Sequence, residues 1–422
     1  MHLLEINDLA VTLSGRHGPL VASPGVAVAD RDGLHFGADA RARARRNPRR
    51  TFDRFWDPLN QQPLAESADP ARSHADLAYY HLRAVLDAAG ESVESVTLAV
   101  PAEYDRSRLA LALGVVQACG LKVAGLVCAP VAAAVGLGLA PGHWRLLGLR
   151  LHDLIAADIE VGPDTVALTG CRTLLRRGLV DLENRWAGRI AERFVRDTRF
   201  DPLHDADTEQ RLHDALDDWL TALADAPAVR AAMRVGDREY HVPLDAAFLA
   251  TGAEEVYRAV AAEFTDRAGV VLDDRLAALP GLRDQLPDMP VVCPPEALAS
   301  GVDAAGEAIR ADDPQAPPFV TRLPRGQRDP MTAAGSTGRP APTHLLSDGV
   351  ATPLPESGHA LAGTAARLEP GDDGWCLRGN LDGLRLNGRP AAADTRLVAG
   401  DHLAADDRQM WLIAVASDHG QA

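Results

Sequence analysis

The chain has 422 residues, 46% of them hydrophobic, and a formal charge of -16 at pH 7. That length exceeds one domain and that apolar content fills sizeable cores. The acidic balance excludes broad nucleic-acid binding, which needs clustered Lys and Arg, and no apolar run approaches the ~20 residues that cross a bilayer.

Residues 2–13 and 25–37 alternate apolar and polar positions and predict a β-meander with turns at Asp8 and at Asp32-Gly33. Helical spacing follows at about 73–89. Val96 to Val100 reads as a strand ending at Pro101, and apolar residues at helical spacing from about Asp105 to Cys119 predict a helix closed by Gly120. A strand through Val123 to Val127 and a small-residue helix after Pro130 complete a strand-helix-strand-helix unit with a right-handed crossover. Paired strands are expected over 146–162 and 164–173, one long helical stretch over 181–225, and another at 253–268.

Residues 313–343 read as an extended linker, with Pro314, Pro317, Pro318, Pro324, Pro330 and Pro340. Phe319, Val320 and Leu323 stand out in this polar tract and predict that the linker docks in part. From 344 to 422, short alternating runs separated by turns predict a small antiparallel β-sandwich or barrel. No repeat of solenoid period is present.

The order of elements up to residue 137, Pro101-Ala102 after a strand, and Pro130 followed by Ala132-Ala133-Ala134 at a helix start resemble the ATPase domain of DnaK-type chaperones. That is a branch of the actin/DnaK/sugar-kinase superfamily. A segment from Leu179, with Asp181, Asn184 and Arg185, is similar to another part of that domain. The resemblance spans roughly residues 1–310. It implies a two-lobed, actin-like (ribonuclease-H-like) α/β fold for residues 1–312, with ATP held between the lobes.

The resemblance also implies where the ATP chemistry would lie, and each place departs from the family. Asp8 sits in a first hairpin turn without the glycine that phosphate-wrapping backbone needs. Of the second hairpin Asp153-Leu154 remains, but Ile155, Ala156, Ala157 and Asp158 replace its glycines and Thr, filling the phosphate space and adding a charge. Phe55 stands near the catalytic Lys, Ala129 replaces a Glu, and the Gly-rich adenosine turn has no counterpart. The expectation is a pseudo-ATPase with no catalytic residue, cofactor or metal. Asp153 is either the one carboxylate left for magnesium or a strand-end residue bonded to a turn. The alternative is a nucleotide-dependent chaperone with divergent loops, using ATP and magnesium; a sugar-kinase-like phosphotransferase would need the same missing glycines.

The last segment resembles a forkhead-associated (FHA) domain through Trp375-Cys376-Leu377, the LDGLRLNG run from Leu381 and the RLVAGDHL run from Arg396. Its phosphothreonine site is expected to be lost, since Leu361-Ala362-Gly363 carries no Arg and Asp382 replaces an Asn. A reduced chaperone substrate domain is the competing reading.

Arg41, Arg43, Arg45, Arg46, Arg49 and Arg50 crowd one stretch. They read either as a docking patch, for an acidic partner or the chain's own acidic surface, or as a solvated helix face. His152, His204, His213 and His241 show no metal spacing. Five scattered cysteines without a CxxC pair, and Glu5 and Asp8 where a signal peptide would be basic, suggest a reduced cytoplasmic protein. The Ala- and Arg-rich composition suggests a high-GC bacterium. The leading reading is a non-catalytic scaffold whose partner is a protein, such as a chaperone-like or actin-like relative, and neither nucleic acid nor membrane.

Overall fold

The computed structural model describes residues 2–16, 18–265, 268–325 and, with breaks, 342–413. It is mixed α/β and divides into two compact units, Met1–Met331 and Thr332–Ala422.

The first unit opens with β1 (His2–Glu5), β2 (Val11–Gly15), β3 (Gly18–Ser23), β4 (Ala27–Asp30), β5 (Gly33–Phe36) and α1 (Gly37–Arg41). Then come β6 (Thr51–Phe52), β7 (Pro63–Ala68), β8 (Ala71–Ser73), α2 (His74–Ala88), β9 (Ser95–Val100), α3 (Arg106–Ala118), β10 (Lys122–Cys128) and α4 (Ala129–Leu137). The next stretch holds β11 (Gly142–Leu149), β12 (Leu154–Val161), β13 (Thr165–Leu175), α5 (Leu179–Thr198), α6 (Ala206–Asp225), β14 (Ala228–Val235), β15 (Arg238–Asp245) and α7 (Ala246–Ala261). β16 (Gly269–Asp273), α8 (Asp274–Ala277), β17 (Val291–Cys293), α9 (Glu296–Ala304), α10 (Gly306–Ile309), β18 (Phe319–Val320) and β19 (Arg322–Pro324) complete it.

Five strands in each of the two six-stranded sheets repeat one topology. In the first, an antiparallel β3-β2-β1 meander continues into parallel β9 and β10. In the second, β13-β12-β11 continues into parallel β16 and β17. No sequence repeat announces this, because sheet position demands only apolar, β-compatible side chains in the right period.

The helices after the last parallel strands, α4 and α9, pack backbone to backbone. A Cβ at Gly136 would overlap the Ala297 carbonyl oxygen, and one at Gly301 that of Ala132. The run of small residues in α4 therefore serves a close helix crossing between equivalent elements.

The docking expected of Phe319, Val320 and Leu323 is present as strand pairing. β18 adds parallel to β10 at an edge of the first sheet, and β19 adds antiparallel to β13 at an edge of the second. Leu323 is 1% exposed. The stretch read as a linker from 313 thus begins inside the first unit; residues 326–341 of it lie outside the described residues.

Two helical expectations are corrected. The stretch 181–225 is two helices: α5 ends on Arg199 in the left-handed region (φ 62), Pro202 cannot donate to a helix ladder, and the Asp205 carboxylate caps α6 by accepting from the Asp207 and Thr208 N–H groups. The helix expected at 253 starts at Ala246, capped by Asp245. The β14–β15 hairpin was not anticipated.

Among its described residues the second unit is all-β, with β20 (His344–Ser347), β21 (Val350–Pro353), β22 (His359–Ala360), β23 (Ala366–Gly371), β24 (Gly374–Gly379), β25 (Leu384–Leu386), β26 (Arg389–Pro390), β27 (His402–Ala405) and β28 (Arg408–Ile413). They form antiparallel sheets of six and three strands, and Leu345, Leu368, Leu377, Leu403 and Leu412 share one core. Trp375, Cys376 and Leu377 lie in β24; Ala362, Gly363 and Asp382 lie outside the described residues. Among the described residues no helix is long and apolar enough to cross a membrane.

Candidate functional site

β1 and β11, at equivalent places in the two sheets, each run into a hairpin turn beside a shared cavity of about 230 Å³. Leu9 and Ala10 line it from the first hairpin, Ile155 and Ala157 from the second. The first turn is shaped by the Asn7 side chain, whose Oδ1 accepts the Leu9 N–H at 3.1 Å. In the second the Arg150 N–H donates to the Asp153 carbonyl at 2.9 Å.

Arg150 sends its guanidinium into this cavity, with Nε 3.4 Å from Glu103 Oε1. Burial opposes its charge, but the carboxylates of Glu103, Asp8, Asp273 and Glu5 outweigh that and hold it protonated above the usual arginine range. The acids bear the opposite cost. Asp8 is 5% exposed; its Oδ2 accepts the Leu151 N–H at 3.2 Å, and its Oδ1 has no partner among the described residues. Burial pushes the Asp8 carboxyl up to about 6 against the pull of Arg150. Asp273 is also raised to about 6 by burial, and Glu5 and Asp57 are raised by burial as well.

Three helices begin at the cavity, and a helix start is where an oxyanion would find free N–H groups. Here α4 carries Pro130 in its first turn and α9 starts behind Pro294 and Pro295, none of which has an N–H to offer. The start of α8 is filled by the chain itself, since Asp273 Oδ1 accepts from Leu276 N at 2.6 Å. Asp273 Oδ2 accepts from Leu149 N at 2.8 Å and ties α8 to β11. Cys293 also lines the cavity, its thiol pushed by burial up to about 12. The result is a cavity with walls of mixed polarity, lined by Arg150 and Arg275 and by an excess of carboxylates in Glu5, Glu103, Asp273 and Asp274.

The residues singled out from sequence divide. Asp8 lies at the buried base of the charge cluster, and Ala129, Ile155 and Ala157 line the cavity. Ala156 and Asp158 correct the reading of 155–158 as one phosphate-space loop. These residues are the start of β12, where alternate side chains face opposite ways. Ala156 therefore enters the core, and Asp158 joins Arg145 (2.7 Å), Arg172 and Glu263 in an ion-pair network. Asp153 is half-buried near Asp57 and is not part of the cavity lining. Phe55 is 1% exposed, packed edge-on against His81 at 5.7 Å. His81 Nδ1 accepts from Trp56 Nε1 at 2.8 Å, and burial lowers the imidazole to about 3. Phe55 thus belongs to an aromatic core, away from the cavity.

The arginine arm meets the chain's own acids. Arg41 bonds Glu183 at 2.8 Å and approaches Asp217 at 3.5 Å. Arg43 binds Asp39 and Asp30, Arg45 faces Glu209 at 3.9 Å, and Arg46 pairs with Asp207. Buried Gln210 of α6 donates to the Arg41 carbonyl and accepts from the Arg45 N–H, both at 2.9 Å. The arm from the first sheet's side is thereby fastened to α5 and α6. Arg49 and Arg50 lie on an exposed turn.

Sequence reasoning missed Arg150, Glu103 and Asp273. Only Arg150 left a signal, as a lone cation in the apolar run from Leu146 to Leu151. Among the described residues no group of three or more His, Cys, Asp or Glu is arranged to hold a metal ion. No protein-family model matches the chain, and no curated protein matches it.

Proposed function

We propose that this chain is a non-catalytic protein-interaction scaffold, built on a two-lobed actin-like fold akin to DnaK-type chaperones, whose cleft has lost the use of ATP and magnesium. The second unit is, in this reading, an FHA-like domain without its phosphothreonine site. What supports the fold is the repeated sheet order, with the cavity lying where the two equivalent hairpins meet. What carries the function is Arg150. Its guanidinium, set among Glu103, Asp8, Asp273 and Glu5, supplies from within the positive charge that the acids of a nucleotide cleft would take from a bound metal. A triphosphate entering here meets carboxylates and side chains where it needs free N–H groups.

The test is thermal unfolding of the whole chain with and without millimolar ATP and magnesium. A ligand at a thousand times its Kd stabilises by about 4 kcal/mol. No shift is expected; a clear upward shift would defeat the reading that the cleft has lost the use of ATP.

A further inference from the structure

The arginines that sequence singles out are largely engaged inside the chain. Two guanidiniums whose Nε donor lacks a hydrogen-bond partner among the described residues lie elsewhere, on α5. That helix buries Leu182, Trp186, Ile190 and Phe194, and Arg185, Arg189 and Arg193 follow one another at four-residue spacing along its edge toward α7. At one end this ladder is complete: Arg185 bonds Asp181 at 2.8 Å and Glu255 of α7 at 3.3 Å. At the other end the facing residue on α7 is Phe248. Arg189 and Arg193 both lie over its ring, at 5.0 and 4.8 Å from the centroid. Their Nε atoms are buried without a hydrogen-bond partner among the described residues, and the nearest ion-pair contact is Asp197, 3.7 Å from Arg193 Nε. Gly252 makes this possible: a Cβ there would stand 3.1 Å from Arg189 Cδ, so a bare backbone gives the stem its place.

We propose that the Arg189–Arg193–Phe248 face of α5 and α7 is a docking site for a carboxylate presented by an acidic peptide segment of a protein partner. Two like charges over one ring repel each other, and a shared anion removes that repulsion. The planar guanidinium fork matches a carboxylate in paired hydrogen bonds, and the ring beneath strengthens the cation's hold by fixing it in place. Both arginines are half-buried, and because their Nε atoms lie below the surface a docked carboxylate is met by the terminal Nη donors. Charge complementarity selects the occupant, since two adjacent guanidiniums with only Asp197 as an ion-pair contact among the described residues leave a local positive excess on a chain whose total is -16. This deepens the scaffold reading by naming the chemistry of a partner, and it rests on that reading only for its biological sense.

The experiment titrates the full chain into fluorescein-labelled hexaglutamate at low ionic strength and follows anisotropy. Saturable binding is expected, weakened at least about tenfold in the Arg189→Gln/Arg193→Gln variant and about threefold in Phe248→Leu. Arg189→Lys/Arg193→Lys keeps the charge without the fork and should fall between; it also serves if the Gln variant unfolds. Arg49→Gln/Arg50→Gln should bind as the unaltered chain does. Absence of binding, equal binding by the Gln and unaltered proteins, or an equal loss in the Arg49/Arg50 control would overturn the proposal. None of these outcomes bears on the ATP test, so the two readings fail separately.

Discussion

Five strands of each six-stranded sheet in the first unit follow the same order, yet their equivalent turns send opposite charges into the buried cluster. The first turn holds Asp8, buried to 5% exposure; the second holds Arg150, directed among the acids of both halves. A repeated architecture brings equivalent turns face to face, and in this chain the meeting point is closed by an internal ion cluster. The difference teaches that a duplicated fold does not fix what its central cavity takes. Two or three side chains at the turns decide it.

The same comparison extends to segment 319–324, which adds a strand to each sheet, and its two ends are unequally buried. Phe319 at the first sheet is partly exposed, whereas Leu323 at the second is 1% exposed. Leu323→Ala should therefore cost about 2–4 kcal/mol in urea unfolding, clearly more than Phe319→Ala. A larger loss from Phe319→Ala would show that the first sheet, and not the second, depends on the segment.

A smaller effect sharpens the contrast between the turns. Asp8 is raised to about 6 from an ordinary 3.8, so the folded state holds its proton more tightly than the unfolded state. Its contribution is fully present below about pH 4 and is lost as pH rises through about 6. Asp8→Asn removes that loss, so the variant should gain on the native chain by about 1 kcal/mol between pH 5 and 7.5. Parallel stability curves over that interval would place Asp8 in a solvated or fully paired setting and break the comparison. Asp273 titrates over the same range, so the native curve keeps part of its slope in the variant.

How legible was this in the sequence? The strands and helices from 95 to 137 were, because Pro101, Gly120 and Pro130 punctuate strongly periodic runs. The break between α5 and α6 was hidden by apolar spacing that continues across Pro202, and β14–β15 by its modest alternation. At the cavity, the loss of glycine at 155–157 was readable, but the two-residue period that sends Ala156 and Asp158 away from it required knowing that β12 begins at Leu154. Phe55 was placed by alignment at a cleft position, while its burial against His81 and Trp56 depends on contacts distant in sequence. Arg150, Glu103 and Asp273 come from three separate segments, and only tertiary structure brings them together.

The most direct measurement of the central claim is a mutant cycle on Arg150. Unfolding free energies are compared for the native chain, Arg150→Met, Asp8→Asn/Glu103→Gln, and all three substitutions combined. If Arg150 is the cation that the cavity's acids require, Arg150→Met costs about 3–5 kcal/mol in the native chain, because it strands buried carboxylates. It costs about half of that or less once Asp8 and Glu103 are neutral. An equal cost in both backgrounds would mean that Arg150 only packs, and would contradict the account.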